Sequence, residues 1–149
     1  MAPLQYFFPL LLLFPFSYLA ESACPPGWRK HENNCVFIDY AVTATWPVAR
    51  ATCQKFGADL PVIRSFNDNN YLVWLASNFD IWIGLYQSEI DLKWYWVDGI
   101  ALDGQFTWWL PGEPNGDQER YVMLFPYQNK WVDQPCGQLK RFVCQITST

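Results

Sequence analysis

Apolar residues recur at Trp46, Ala49, Cys53 and Phe56, at spacings of three, four and three. That spacing predicts one buried stripe of a helix, with Thr45 as N-cap, Pro47 in the first turn and Gly57 as terminator. A second helix is predicted from Ser65, with Leu72, Leu75, Ala76 and Phe79 on one face. After Asp80 the pattern changes to short apolar runs. Ile81–Leu85 (IWIGL), Tyr121–Phe125 (YVMLF), Lys130–Asp133 (KWVD) and Phe142–Gln145 (FVCQ) each read as strands. Upstream, Cys24–Tyr40 (CPPGWRKHENNCVFIDY) predicts a hairpin that turns at Glu32-Asn33-Asn34, with Val36-Phe37-Ile38 in its second strand. Residues 86–120 are rich in Gly, Pro, Asp and aromatics and carry no sustained periodicity. A loop this long inside a compact domain is usually functional. The predicted class is α+β, two helices with antiparallel sheets and one long irregular loop.

The first residues are excluded from this fold. Tyr6–Tyr18 is an uncharged apolar run, followed by small residues at Ala20, Ser22 and Ala23. It is shorter than the roughly 20 residues a bilayer requires, and Pro9 and Pro15 interrupt it. The expectation is a secretory signal peptide over residues 1–22, a single domain over 23–149 and a secreted, extracellular product without membrane insertion. In an exported chain the five cysteines Cys24, Cys35, Cys53, Cys136 and Cys144 read as a disulfide framework with one left over. Counting alone leaves the pairing open. With 19% aromatic residues and nine Trp, the core need not rest on disulfides alone. The net charge of −4 and the absence of a Lys/Arg run argue against a nucleic-acid partner.

Candidate chemistry narrows quickly. A nucleophile–His–carboxylate set would need His31, the chain's one histidine, which sits between Lys30 and Glu32 and reads as a solvated turn residue. Glu113, Asp117 and Glu119 lie in the most polar stretch of the chain, a poor setting for the raised-pKa acid of a glycosidase. The chain is therefore read as a binding module and not an enzyme. No CxxC occurs, so a Cys/His zinc cluster has no ligand set. The stretch Pro111–Glu119 (PGEPNGDQE), with Asp133 beyond it, supplies the hard oxygens that calcium takes in a flexible shell, although not in EF-hand spacing.

Taken in order, Trp82-Ile83-Gly84-Leu85, Trp94-Tyr95-Trp96-Val97-Asp98-Gly99, Gly112-Glu113-Pro114-Asn115 after Trp109, Trp131-Val132-Asp133 and Phe142-Val143-Cys144 resemble the C-type lectin-like domain. Cys24…Gly27-Trp28…Cys35 and Ala49…Cys53…Gly57-Ala58-Asp59-Leu60 are similar to its long form with an N-terminal hairpin. The resemblance implies bridges Cys24–Cys35 and Cys53–Cys144, the second closing about 90 residues for roughly 2–4 kcal/mol. The family's third bridge would need a cysteine where Tyr121 stands, which leaves Cys136 unpaired. That cysteine is expected either buried beside Tyr121 or exposed and able to join two copies in a homodimer.

By the same resemblance, Glu113, Asn115, Glu119 and Asp133 would hold one Ca2+ ion and a sugar. Glu-Pro-Asn goes with mannose-type hydroxyl geometry. Two features depart from the pattern: Val132 replaces an asparagine ligand, and only Gly116-Asp117-Gln118 separates Asn115 from Glu119. With the Asp133 carbonyl as a fifth ligand and two waters or hydroxyls, the count still suits calcium. Losing one amide donor, worth on the order of 1 kcal/mol, weakens sugar binding more. The implied partners are glycans or glycoproteins. The alternative is a calcium-independent domain that binds a protein ligand, favoured by Val132, Tyr121, the short spacer and aromatics such as Trp108 and Tyr127.

Overall fold

A computed structural model describes residues 23–147, so the expected signal peptide lies outside the described residues. The elements are β1 (Arg29–His31), β2 (Asn34–Ile38), α1 (Trp46–Lys55), α2 (Phe66–Ala76), β3 (Ile81–Gln87), β4 (Trp94–Trp96), β5 (Tyr121–Phe125), β6 (Lys130–Gln134) and β7 (Arg141–Thr147). The sheet runs β1-β2-β7-β3-β5-β6, and β4 pairs off this path with β3. The expected sheets were antiparallel throughout, but β3 and β7 pair in parallel, with Ile81 opposite Arg141 and Trp82 opposite Phe142. Parallel neighbours require a crossover, and here β5 and β6 supply part of it.

The two helices begin by different means. Thr45 precedes α1 in an extended conformation without a side-chain cap, and Pro47 occupies the first turn. Ser65 caps α2 directly, its Oγ accepting from the Asp68 N–H. Trp46, Ala49 and Cys53 form the buried stripe of α1 as predicted, but Phe56 is the C-cap and 64% exposed. Likewise α2 stops at Ala76, because Ser77 turns left-handed, and this leaves Phe79 outside the helix and exposed. In both cases the apolar stripe runs past the helical backbone, by one residue at Phe56 and by three at Phe79.

Two apolar clusters fill the interior. One gathers Leu72, Leu75, Ile81, Ile83, Trp96 and Trp131. The other gathers Trp46, Ala49, Cys53, Trp82, Met123 and Val132. Three buried indoles find acceptors: Trp46 donates to the Ile83 carbonyl, Trp82 to the Ala44 carbonyl and Trp131 to Asn69 Oδ1, each at 2.8 Å, whereas the buried Trp96 Nε1 has none. Gly84 lets β3 lie against its neighbours, since a Cβ there would meet Val97 Cγ2 at 2.8 Å and the Pro61 carbonyl at 2.9 Å. Both bridges implied by the resemblance are present, Cys24–Cys35 closing the hairpin and Cys53–Cys144 joining α1 to β7 across 91 residues.

The long loop is better anchored than its composition indicates. β4 lies within it, and Gln87 N–H donates to the Arg120 carbonyl at 2.8 Å, so the sheet holds the loop's two ends side by side. Further on, Trp131 N–H donates to the Trp108 carbonyl and Leu110 N–H to the Trp131 carbonyl. These bonds lay residues 108–110 along β6 and carry the following acidic stretch to the end of that strand.

Candidate functional site

Trp131 fixes the floor of the candidate site. It is fully buried, its ring packed edge-on against Trp96, Trp109 and Phe106 at 5.5–5.8 Å between centroids. Asp133, two residues on, is also fully buried, at the point where the long loop returns. Asn115 N–H reaches its two oxygens at 3.3 and 3.2 Å, and Gly116 N–H reaches Oδ2 at 3.1 Å. Backbone donors thus turn the loop around one buried carboxylate. A carboxylate has about four lone-pair positions, so these bonds leave Asp133 able to accept more.

The turn brings Glu113 and Glu119 to Asp133, and one oxygen of each carboxylate lies within 4.8 Å of the others. Asn115 Nδ2 donates to Glu113 Oε1 at 3.0 Å, and the Glu113–Pro114 peptide is cis. All four residues singled out in the sequence therefore meet in one place. Among the described residues, no Lys or Arg ion pair reaches the three carboxylates; Arg120 instead lies 3.6 Å from Glu89. Glu113 Oε2 is buried without a hydrogen-bond partner. The crowding shows in the protonation of the cluster. The Glu113 carboxyl is pushed up to about 7, first by the hydrogen bond that its protonated form can donate to Asp133, then by burial and by the charges of Asp133 and Glu119. Burial, then the charge of Asp133, raises Glu119 as well. Such a site needs either a proton or a cation to offset its charge.

Several details differ from the sequence reading. The Asp133 carbonyl, counted as a fifth ligand, already accepts from Gln134 Nε2 at 2.7 Å. Val132 is only 8% exposed, within the apolar cluster that contains Met123 and Trp82, so it presents little apolar surface to a ligand. Cys136 is exposed and not buried beside Tyr121. Trp108 is half-buried between Phe66 and Phe106, with Lys130 Nζ 3.4 Å from its ring centre, whereas Tyr127 is 85% exposed. Asp117 stays outside the cluster.

Gly116 is the residue that sequence reasoning missed. It donates its N–H to Asp133, and the Glu119 side chain folds across the face where a Cβ would stand. The only trace in the sequence was the short spacer of which it is part.

This arrangement can be set beside known proteins. Residues 42–146 match the family model for the C-type lectin domain. The chain belongs to the C-type lectin domain family. Members of the C-type lectin family are carbohydrate-binding domains and not enzymes. The chain is 33% identical over 128 residues to the CD209 antigen of Symphalangus syndactylus, a match covering 84% of this chain and 33% of that protein. It thus spans about a third of that relative's length. Among solved structures, the carbohydrate-recognition domain of cow CD23 superposes with a TM-score of 0.78 at 30% identity, covering 86% of this chain and 98% of the other. That domain was determined in the presence of a GlcNAc2Man3 oligosaccharide. A calcium-independent type II antifreeze protein superposes almost as well, with a TM-score of 0.76 at 26% identity over 85% and 96% of the two chains. The C-type lectin scaffold is therefore settled, while its neighbours include one that works without calcium.

Proposed function

We propose that this domain is a secreted, calcium-dependent carbohydrate-binding lectin of mannose type, with Glu113, Asn115, Glu119 and Asp133 holding both the ion and the sugar. The observation that carries the reading is the convergence of three carboxylates with Glu113 Oε2 unpartnered and, among the described residues, no Lys or Arg ion pair to them. A hard divalent ion takes such oxygens without needing the fixed angles of a smaller one. When bound, calcium would supply positive charge to which two neighbouring sugar hydroxyls can bind. Glu113 and Glu119 would accept hydrogen bonds from those hydroxyls, and the Asn115 amide would donate. The Glu113-Pro114-Asn115 order supports a mannose-type ligand, as does the oligosaccharide used with the cow CD23 domain. Val132 supplies no amide, so single-site affinity is low and effective binding rests on multivalency, for which the exposed Cys136 offers a link between two copies.

The alternative is a calcium-independent domain that binds a protein. The calcium-independent neighbour and the exposed aromatics Tyr127 and Trp74, 85% and 62% exposed, favour it. The melting temperature of residues 23–149 in millimolar calcium and in EDTA separates the two. A ligand that binds only the folded state raises stability by RT ln(1 + [L]/Kd). The lectin reading expects a rise in calcium that Glu113→Gln and Asp133→Asn abolish, followed by calcium-dependent retention on mannan. Equal melting in both buffers would overturn it.

A further inference from the structure

We propose that His31, Glu32 and Asp68 form a second cation site, separate from the acidic loop and suited to zinc. His31 ends β1, Glu32 occupies the hairpin turn at φ +50°, and Asp68 lies in the first turn of α2. His31 was expected to be solvated, but its side chain is only 13% exposed and its ring stacks on Tyr71 at 3.9 Å between centroids. One donor atom from each of the three residues lies within 4.8 Å of the others. His31 Nε2 and Asp68 Oδ1 are 3.2 Å apart, close to the roughly 3.3 Å edge of a tetrahedron with ligands about 2.0–2.1 Å from zinc.

Each donor is also aimed by a neighbour. Asp68 Oδ2 accepts from the Arg64 N–H at 3.0 Å and from the Ser65 hydroxyl at 2.9 Å, which leaves Oδ1 toward the imidazole. Glu32 Oε1 accepts from Asn67 Nδ2 at 2.6 Å, which leaves Oε2 free of that bond. Tyr71 fixes the plane of the ring. Such outer contacts orient the ligands of metal sites. Glu32 and Asp68 also border a pocket of about 500 Å³, in which Asp59 and Asp98 are paired with Arg50 and Arg64, so Glu32 and Asp68 are the carboxylates there without an arginine ion pair among the described residues. An imidazole beside two carboxylates selects zinc over calcium, which takes oxygen, and three protein ligands leave a fourth position for water or a partner's side chain. The His31–Asp68 and Asn67–Glu32 hydrogen bonds join hairpin to helix side by side, and this pairing holds the three donors together. No motif marks this set in the sequence, because Asp68 stands 37 residues from His31 and only the fold unites them.

His31 is the chain's one histidine, so its ring nitrogens are an assignment-free reporter. The test is long-range 1H–15N NMR of the untagged, disulfide-intact chain during titration with zinc chloride, alongside calorimetry. One equivalent of zinc should shift the Nε2 resonance, calcium at the same concentration should leave it in place, and Glu32→Gln should weaken zinc binding at least tenfold. Because Glu32 is exposed at a turn, that variant should fold; its melting temperature in EDTA checks this. Zinc heat without movement of the imidazole resonance, or wild-type affinity in Glu32→Gln, would overturn the proposal. The readout involves neither sugar nor calcium, so it can fail or succeed independently of the lectin reading.

Discussion

A Cβ placed on Gly116 would stand 2.5 Å from the Cγ and Cδ of Glu119 and closer still to its Oε2, where ordinary contact begins near 3.4 Å. In Gly116→Ala the Glu119 side chain must therefore retreat by about 1 Å, while calcium–oxygen bonds span only about 2.3–2.6 Å. Withdrawing one carboxylate ligand should weaken calcium binding about tenfold or more, or about 1.4 kcal/mol. Folding itself should not suffer. Gly116 lies outside the left-handed region, and what the Cβ meets is a flexible side chain. Alanine at a compatible position restricts the unfolded chain and stabilises by about 0.4–1 kcal/mol. The two effects have opposite signs. In EDTA the variant should melt at or slightly above wild type. At a calcium concentration a hundredfold above the wild-type Kd, the stabilisation should fall from about 2.7 to about 1.4 kcal/mol. For a domain of this size, that difference is about 3–6 °C in Tm. Differential scanning calorimetry in both buffers measures it. A calcium-induced rise equal to wild type, or a variant already destabilised in EDTA, would refute the account of how Gly116 serves the site.

Other consequences can be checked separately. Because the Glu113 carboxyl is raised to about 7, the folded calcium-free domain holds a proton there that the unfolded chain releases near 4.5. Its stabilising share is complete below about 4.5 and lost as pH rises through about 7, so wild type should lose more Tm than Glu113→Gln between pH 5 and pH 8 in EDTA. Calcium must displace the same proton, so its affinity should fall below pH 7. Gly84→Ala should destabilise the fold by about 1–3 kcal/mol in urea titrations, because two of the groups its Cβ meets are backbone carbonyls. Asn69→Ala should cost about 1–3 kcal/mol by leaving the fully buried Trp131 indole without its acceptor, with no added effect of calcium on the loss.

The sequence carried those parts of the molecule that repeat or punctuate. The stripe from Trp46 to Cys53, the Ser65 cap and the apolar runs of β3, β5 and β6 were legible because burial imposes a period on them. β4 was not, because Trp94-Tyr95-Trp96 is too short to show alternation and draws its order from pairing with Leu85–Gln87. The four residues of the acidic site were legible through family resemblance and adjacency. The support from Gly116 and the raised Glu113 carboxyl were not, since both depend on how the loop closes over Asp133. His31 failed as a surface residue for a similar reason: its local neighbours are polar, and the aromatic that covers it comes from Tyr71.

The hydrogen bond between Gln87 and Arg120 places the long loop as a graft on a closed frame. Its two graft points are already neighbours in the sheet, so the frame does not depend on what lies between them to bring its own strands together. Doubling the length of such an insert costs only about 0.6 kcal/mol in closure entropy. Mutations at its exposed positions can accumulate with little penalty to folding while the scaffold persists, whereas β4 and the buried Trp96 and Leu102 belong to the core. A carbohydrate-recognition domain and a calcium-independent antifreeze protein sharing this architecture are what that separation allows. For engineering, the exposed parts of residues 88–119 form a natural exchange cassette, provided the donor segment restores β4, the buried Trp96 and Leu102 and the backbone pairing of residues 108–110 with β6.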